Sequence, residues 1–227
     1  MQIEPVAIFR SPMPEKFGIP RQAGLVPELR GKVVLCGKYA RPEALRGLDG
    51  FDYAWLVWGF DRNSPSDALT VRPPRLGGNE RVGVFASRSP FRPNGLGLSS
   101  VRISRVDCER CEIEVLGADL ADLTPVYDIK PYVTYADSHP EARSGFVDET
   151  SWNPLEVEFP EALASVLEIG DVAALKAILA QDPRPRYQAD PTKIYGLSFA
   201  GHNIKFRVSD RTLTVTEIED PEIKVEG

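Results

Sequence analysis

The sequence predicts a mainly β protein: a β-rich first part, folded as an antiparallel barrel or sandwich, followed by a small α+β subdomain. Three observations carry this. Twenty prolines and eighteen glycines interrupt the 227 residues often, which favours short strands and loops over long helices. Six short runs rich in β-branched and aromatic residues fall within the first 135 positions. After residue 160 the apolar spacing changes to the three-and-four period of amphipathic helices.

Taken in order, the strand candidates are 6–10, 32–36, 54–60, 81–87, 98–107 and 112–116. Each is bounded by Gly, Pro, Asp or Asn nearby. A polar connector without clear period runs from Asp137 to Pro160. Two helices are expected next, EALASVLE at 161–168 and DVAALKAILAQ at 171–181, separated by Gly170. Asp171 is expected to cap the second, and Pro183 and Pro185 stop it. Three short strands follow near 194–199, 204–208 and 213–218. The domains are therefore drawn at 1–140 and 141–227.

Composition narrows the function classes. Apolar residues make up 42% and charged residues 26%, ordinary values for a soluble globular protein. AWLVWGF at 54–60 is among the longest apolar runs and is far too short to span a bilayer. The N-terminus lacks the basic and apolar regions of a signal peptide. Three cysteines argue against a disulfide framework, so a cytoplasmic location is expected. The net charge of −6 excludes a protein that coats nucleic acid over its whole surface. Yet seven arginines and one acid lie between Thr70 and Arg105, a basic field suited to an anionic ligand or to one face of an RNA.

Metal chemistry is not expected. Cys108-Glu-Arg-Cys111 is a lone CxxC suited to flanking a hairpin turn, and the two histidines are His139 and His202. No Walker A, G-x-S-x-G or dinucleotide glycine motif is present. A hydrolase or phosphotransferase lacks its nucleophile–base pair. What remains is arginine held beside proline. In Arg88-Ser-Pro-Phe91-Arg92-Pro-Asn94-Gly95-Leu-Gly97 the prolines restrict the backbone, so Arg88 and Arg92 lose less entropy when they grip a carboxylate or phosphate. Gly95 and Gly97 are expected to leave room for a ligand beside the backbone. In Asp128-Ile-Lys130-Pro-Tyr132, period-two alternation puts an acid, a base and an aromatic ring on one face. Such a face can accept a proton, hold an anion and stack on a base; the alternative is a strand with an internal Asp–Lys pair. Pro20-Arg21-Gln22 and Asp182-Pro-Arg184-Pro-Arg186-Tyr187 repeat the theme near the two ends of the chain.

Together these stretches resemble the tRNA methyltransferase O family, with its TsaA-like β-barrel domain. The resemblance rests on IFRSP (8–12), FGIPRQAGL (17–25), RGLDGFDYAWLVWGF (46–60), VRPPRLGGNERVGVFASRSPFRPN (71–94), GLS (97–99), DLADLTPVYDIKPYVTYAD (119–137) and LAQDPRPRY (179–187). It implies a small antiparallel β-barrel and an S-adenosylmethionine-dependent enzyme that methylates N6 of threonylcarbamoyl-adenosine beside the anticodon of a threonine tRNA. It also implies a homodimer with the cofactor near the subunit interface. On matching positions, Pro20, Arg21, Gln22, Asp61, Arg62, Arg88, Ser100 and the backbone of Asp119, Leu120, Ala121 and Asp122 are cofactor-binding. Asp61 and Arg62 differ from the family's usual residues, so contacts there would be mainly backbone. Asp128, Lys130 and Tyr132 are the catalytic candidates, and Phe91, Arg92 and Arg184 the substrate-binding ones. Two further departures stand out: Gly95 where the family commonly has proline, and Leu123 where it commonly has glycine. They keep a second reading in play, a non-catalytic module that binds S-adenosylmethionine or RNA.

Overall fold

The structure is a computed structural model and describes residues 2–64, 66–77, 80–150, 153–184 and 190–220. Six strands close into a barrel: β1 (Ala7–Arg10), β2 (Arg30–Leu35), β3 (Tyr53–Gly59), β6 (Leu96–Asp107), β7 (Glu112–Leu116) and β8 (Pro125–Pro131), ordered β1-β2-β7-β6-β3-β8. Alternation along each strand fixes its inner face. Ala54, Leu56 and Trp58 of β3 point inward with Val101 of β6 and Ile113 and Val115 of β7, and all are buried. The Trp58 indole N–H donates to Ser99 Oγ at 2.9 Å, so the polar pair enclosed by the barrel is satisfied. Cys108 and Cys111 flank the β6–β7 turn, where Cys111 N–H donates to the Cys108 carbonyl at 3.3 Å.

The predicted strand at 81–87 is corrected. Only β5 (Val82–Gly83) is extended, paired with β4 (Thr70–Val71) in a two-stranded ribbon outside the barrel. Beyond it Val84–Ala86 makes a 3₁₀ turn, because the Ser87 hydroxyl donates to the Val84 carbonyl at 2.9 Å and diverts the backbone from a ladder. The sixth barrel strand is β8, the DIKPY stretch. It pairs with β1 on one side and β3 on the other.

The chain divides into two compact units that are not consecutive in sequence. One comprises residues 1–9, 32–115 and 124–153, the other residues 10–31, 116–123 and 154–227. In the second unit the two earlier segments are tied by backbone bonds: Gly24 N–H to Gly117 O, Gly117 N–H to Leu29 O and Asp122 N–H to Met13 O, each 2.8 Å. Its sheet runs β10 (Tyr195–Phe199), β11 (His202–Ser209), β12 (Thr212–Glu219) and β9 (Glu156–Glu158). The short β9 lies parallel to β12, within the stretch read from sequence as connector. Ala174, Leu175, Ile178 and Leu179 form the buried stripe of α3 (Ile169–Ala180) and share one core with Met13, Val26, Leu29 and the sheet.

Two helical expectations change. α2 covers only Glu161–Ala164, since the Ser165 hydroxyl bonds the Ala162 carbonyl at 2.8 Å and competes with the helix ladder. α3 begins two residues before Asp171, with Glu168 at the N-cap position, so Asp171 sits in the first turn and does not cap it. Gly170 lies inside that turn, where the Arg30 guanidinium occupies the space of a side chain. The remaining helix, α1 (Thr134–Asp137), is a single turn after β8. Among the described residues no helix is long and apolar enough to cross a membrane.

Candidate active site

The outward faces of β6, β3 and β8 bring four of the sequence-predicted residues together. Strand register sets the arrangement: Trp55 of β3 stands opposite Ser100 of β6 and Lys130 of β8, and Val57 stands opposite Leu98 and Asp128. Tyr132 follows β8, and its N–H donates to the Tyr53 carbonyl at 2.9 Å. Its ring lies 5.7 Å from Trp55 and 6.1 Å from Tyr53, centroid to centroid. Trp55 and Tyr53 thus belong to this face, and the motif reading missed them. The available signal was the period-two spacing of Tyr53 and Trp55, but its meaning depended on pairing with strands more than forty residues away.

Asp128 and Lys130 form the ion pair that alternation allows, with Oδ2 and Nζ 2.9 Å apart. The Asp128 Oδ1 atom accepts the Ile129 N–H at 2.9 Å. The hydrogen bond that Lys130 donates to Asp128, followed by the Asp128 charge, raises the Lys130 pKa above the ordinary lysine value, so the ammonium stays charged. A carboxylate has about four lone-pair sites. With its side chain 48% exposed, Asp128 keeps acceptor capacity for a further N–H. The ammonium likewise has more donors than one carboxylate oxygen uses.

At the end of the barrel where β3 finishes and β6 begins, the Phe60 N–H donates to the Gly95 carbonyl at 2.8 Å. This fastens the turn carrying Asp61 and Arg62 to the end of the arginine loop. That loop is ordered by serine: the Ser89 and Phe91 N–H groups donate to the hydroxyls of Ser87 and Ser89, and Arg92 Nη1 donates to the Ser87 carbonyl at 3.1 Å. Arg88 and Phe91 are exposed, and Arg92 is half-buried. The expectation for Gly97 is corrected. A Cβ there would stand 2.3 Å from Trp58 Cε2, so the space beside this glycine belongs to the indole and not to a ligand. Gly95 differs: φ is +57° and its surroundings are open. Proline, fixed near −65°, cannot adopt that backbone.

In the second unit, Asp122 Oδ1 accepts Arg10 Nε–H and Ser11 N–H, both at 2.9 Å. The side chains of Leu120 and Ala121 are buried. Pro20 is buried, Gln22 half-buried and Arg21 exposed. Arg21, Gln22, Asp119 and Asp122 carry the donor and acceptor types that an adenine ring, a ribose and an amino-acid end take. These side chains are of the polar types that such a cofactor, S-adenosylmethionine, takes. Leu123 adopts φ +65°, so a side chain occupies a left-handed position that glycine takes more easily. Arg184 gives both arms of its fork to Asp182, at 2.8 and 3.0 Å, which raises its pKa further. Arg186 and Tyr187 lie outside the described residues, as do Gly78, Asn79 and Trp152. No cluster of three or more candidate metal ligands occurs among the described residues.

The chain matches the family model of the tRNA-methyltransferase O N-terminal domain over residues 8–138 and that of the TrmO C-terminal domain over residues 153–221. It belongs to the tRNA-methyltransferase O family. Among relatives in this family, it is similar to the tRNA (adenine(37)-N6)-methyltransferase of Escherichia coli (strain K12), 38% identical over 96% of this chain and 97% of that protein. It is also similar to a putative S-adenosylmethionine-dependent methyltransferase, RcsF, of Pseudomonas aeruginosa, 43% identical over 86% of this chain and 87% of the other. The crystal structure of TrmO from Pseudomonas aeruginosa superposes with a TM-score of 0.80 at 31% identity, covering 96% of this chain and 97% of that one. The tRNA-methyltransferase O family thus accounts for both the barrel and the C-terminal unit.

Proposed function

We propose that this chain, as a cytoplasmic homodimer, transfers the methyl group of S-adenosylmethionine to N6 of threonylcarbamoyl-adenosine beside the anticodon of a threonine tRNA. By family it is an S-adenosylmethionine-dependent tRNA (adenine-N6)-methyltransferase. The observation that carries the finer reading is the barrel face on which the Asp128–Lys130 pair adjoins the Trp55 and Tyr132 rings.

S-adenosylmethionine, when bound, supplies an electrophilic sulfonium methyl. Cofactor binding is assigned to Pro20, Arg21, Gln22, Asp61, Arg62, Arg88, Ser100 and the backbone of Asp119–Asp122. Asp128 accepts the N6–H, orienting the nitrogen and taking its proton as the new bond forms. Lys130 holds Asp128 in place and, with donors to spare, binds the threonyl carboxylate together with Arg92. Arg184, already forked onto Asp182, is the weaker candidate for that anion. Tyr132 and Phe91 offer ring faces to the base. The anticodon loop is single-stranded, so exposing its base breaks little pairing.

The test is transfer of methyl label from cofactor to tRNA carrying the modified adenosine. Asp128→Asn is expected to keep cofactor affinity and slow transfer by about 100-fold, the scale of a lost general base. Unchanged turnover removes Asp128 from the mechanism. Binding of cofactor and RNA by the unsubstituted chain without transfer makes it a binding module. Mass spectrometry of tRNA nucleosides from cells with and without the protein identifies the methylated species.

A further inference from the structure

We propose that the arm between β3 and β6 grips single-stranded RNA, with Phe85 as the platform on which an unpaired base of the anticodon loop stacks. This rests on the reading of the chain as an enzyme of tRNA, and it adds a substrate-binding residue that no motif argument singled out.

Phe85 is 79% exposed, while Val84 beside it is buried. The turn is fastened from three directions. Val84 N–H donates to the Leu69 carbonyl at 2.9 Å, and the Val84 carbonyl accepts both the Ser87 N–H at 3.3 Å and its hydroxyl at 2.9 Å. With Val84 anchored and the turn closed, the phenyl ring is held in solvent, where folding gains nothing from it. Leu69, across from Val84, is equally exposed. An ordered aromatic ring presented outward on a pinned turn is a preorganised stacking surface.

The charge around it selects the partner. Arg72, Arg75 and Arg81 lie within 70–81 of the arm with a single acid, Glu80. Arg81 Nη1 donates to Thr70 Oγ1 at 2.8 Å, which positions that guanidinium along the β4–β5 ribbon. A second copy of the chain is disfavoured as occupant, because a two-fold contact through this arm would set arginines against arginines. RNA matches the arm on both counts, with phosphates for the guanidiniums and a base face for the ring.

The test uses anticodon stem-loop RNA carrying threonylcarbamoyl-adenosine, with binding followed by fluorescence anisotropy across a salt series. Phe85→Ala and Phe85→Leu are expected to weaken binding roughly ten-fold, and Phe85→Trp to restore it to near the unsubstituted value. The salt slope should stay unchanged in all three, whereas Arg72→Ala should lower it by about one. Calorimetry with S-adenosylmethionine should show cofactor affinity intact. Equal RNA affinity in Phe85→Ala overturns the proposal. So does Phe85→Leu binding like the unsubstituted chain, which would indicate a merely apolar contact. A loss that coincides with dissociation of an oligomer in sedimentation also overturns it. If the unsubstituted chain shows the full stacking pattern but transfers no methyl, this inference stands and the proposed activity falls.

Discussion

At position 97 a side chain would have to share space with the indole of Trp58, which also donates to Ser99 and meets Phe60 edge-on at 4.4 Å between centroids. Gly97→Ala is therefore an overpacking change at a buried site, where neither the strand register nor the ring can yield without loss of a bond. A loss of about 1–3 kcal/mol in unfolding free energy is expected, measured by urea denaturation at constant slope. An unchanged midpoint would mean that Trp58 turns aside at no cost. The sequence marks position 97 as one that wants glycine, but not why. Trp58 is its direct cross-strand partner, a fact of register that local pattern does not contain. Asp128 and Lys130 were legible for the opposite reason: they are two residues apart in one strand, and alternation alone puts them side by side. Trp55 entered the face only through its pairing with both neighbouring strands.

The strands and helices follow the same logic. Five of the six barrel strands are recognisable from their own composition, while the candidate at 81–87 lies outside the barrel. Residues 81–87 have strand-like character, yet a serine hydroxyl turns them. Strand β8 has a proline at each end, Pro125 and Pro131, and still completes the barrel, because partners on both sides override its weak local preference. Helix α3 offers a test at this level. Asp171 is in its first turn, where the helix dipole favours a negative charge. Burial, followed by the nearby Glu168 charge, nonetheless raises its pKa above the ordinary carboxylate value, with Arg30 opposing. A carboxyl with a raised folded-state pKa favours folding most when protonated, below the unfolded value, and that advantage is lost as pH rises through the folded value. Asp171→Asn is therefore expected to raise Tm at pH 7, and the gain should shrink as pH falls into the carboxylate range. Thermal melts from pH 3 to pH 8 check this. A lower Tm for the variant at pH 7 would show that the dipole outweighs burial.

For the molecule as a whole, the interleaving of its two units has a consequence for any attempt to divide it. The two family domains are successive in sequence, but the compact units are not, since residues 10–31 and 116–123 belong with the C-terminal sheet and helix. Met13, Val26 and Leu29 are almost wholly buried in that core, against the stripe of α3 and the inner face of β10–β12. A fragment ending at residue 140 would leave these three side chains without their partners. At roughly 1.5–3 kcal/mol for each side chain returned to water, the loss is comparable to the whole stability of an ordinary domain, about 5–15 kcal/mol. The fragment 1–140 is therefore expected to bind a hydrophobic dye and melt without a cooperative transition. The complementary fragment 141–227 should do the same, because its sheet and helix lose the other half of their core. Mixing the two should restore a single cooperative melt by circular dichroism. If 1–140 alone unfolds cooperatively, the barrel does not need this core, and the segment from Arg10 to Gly31 serves the C-terminal unit only.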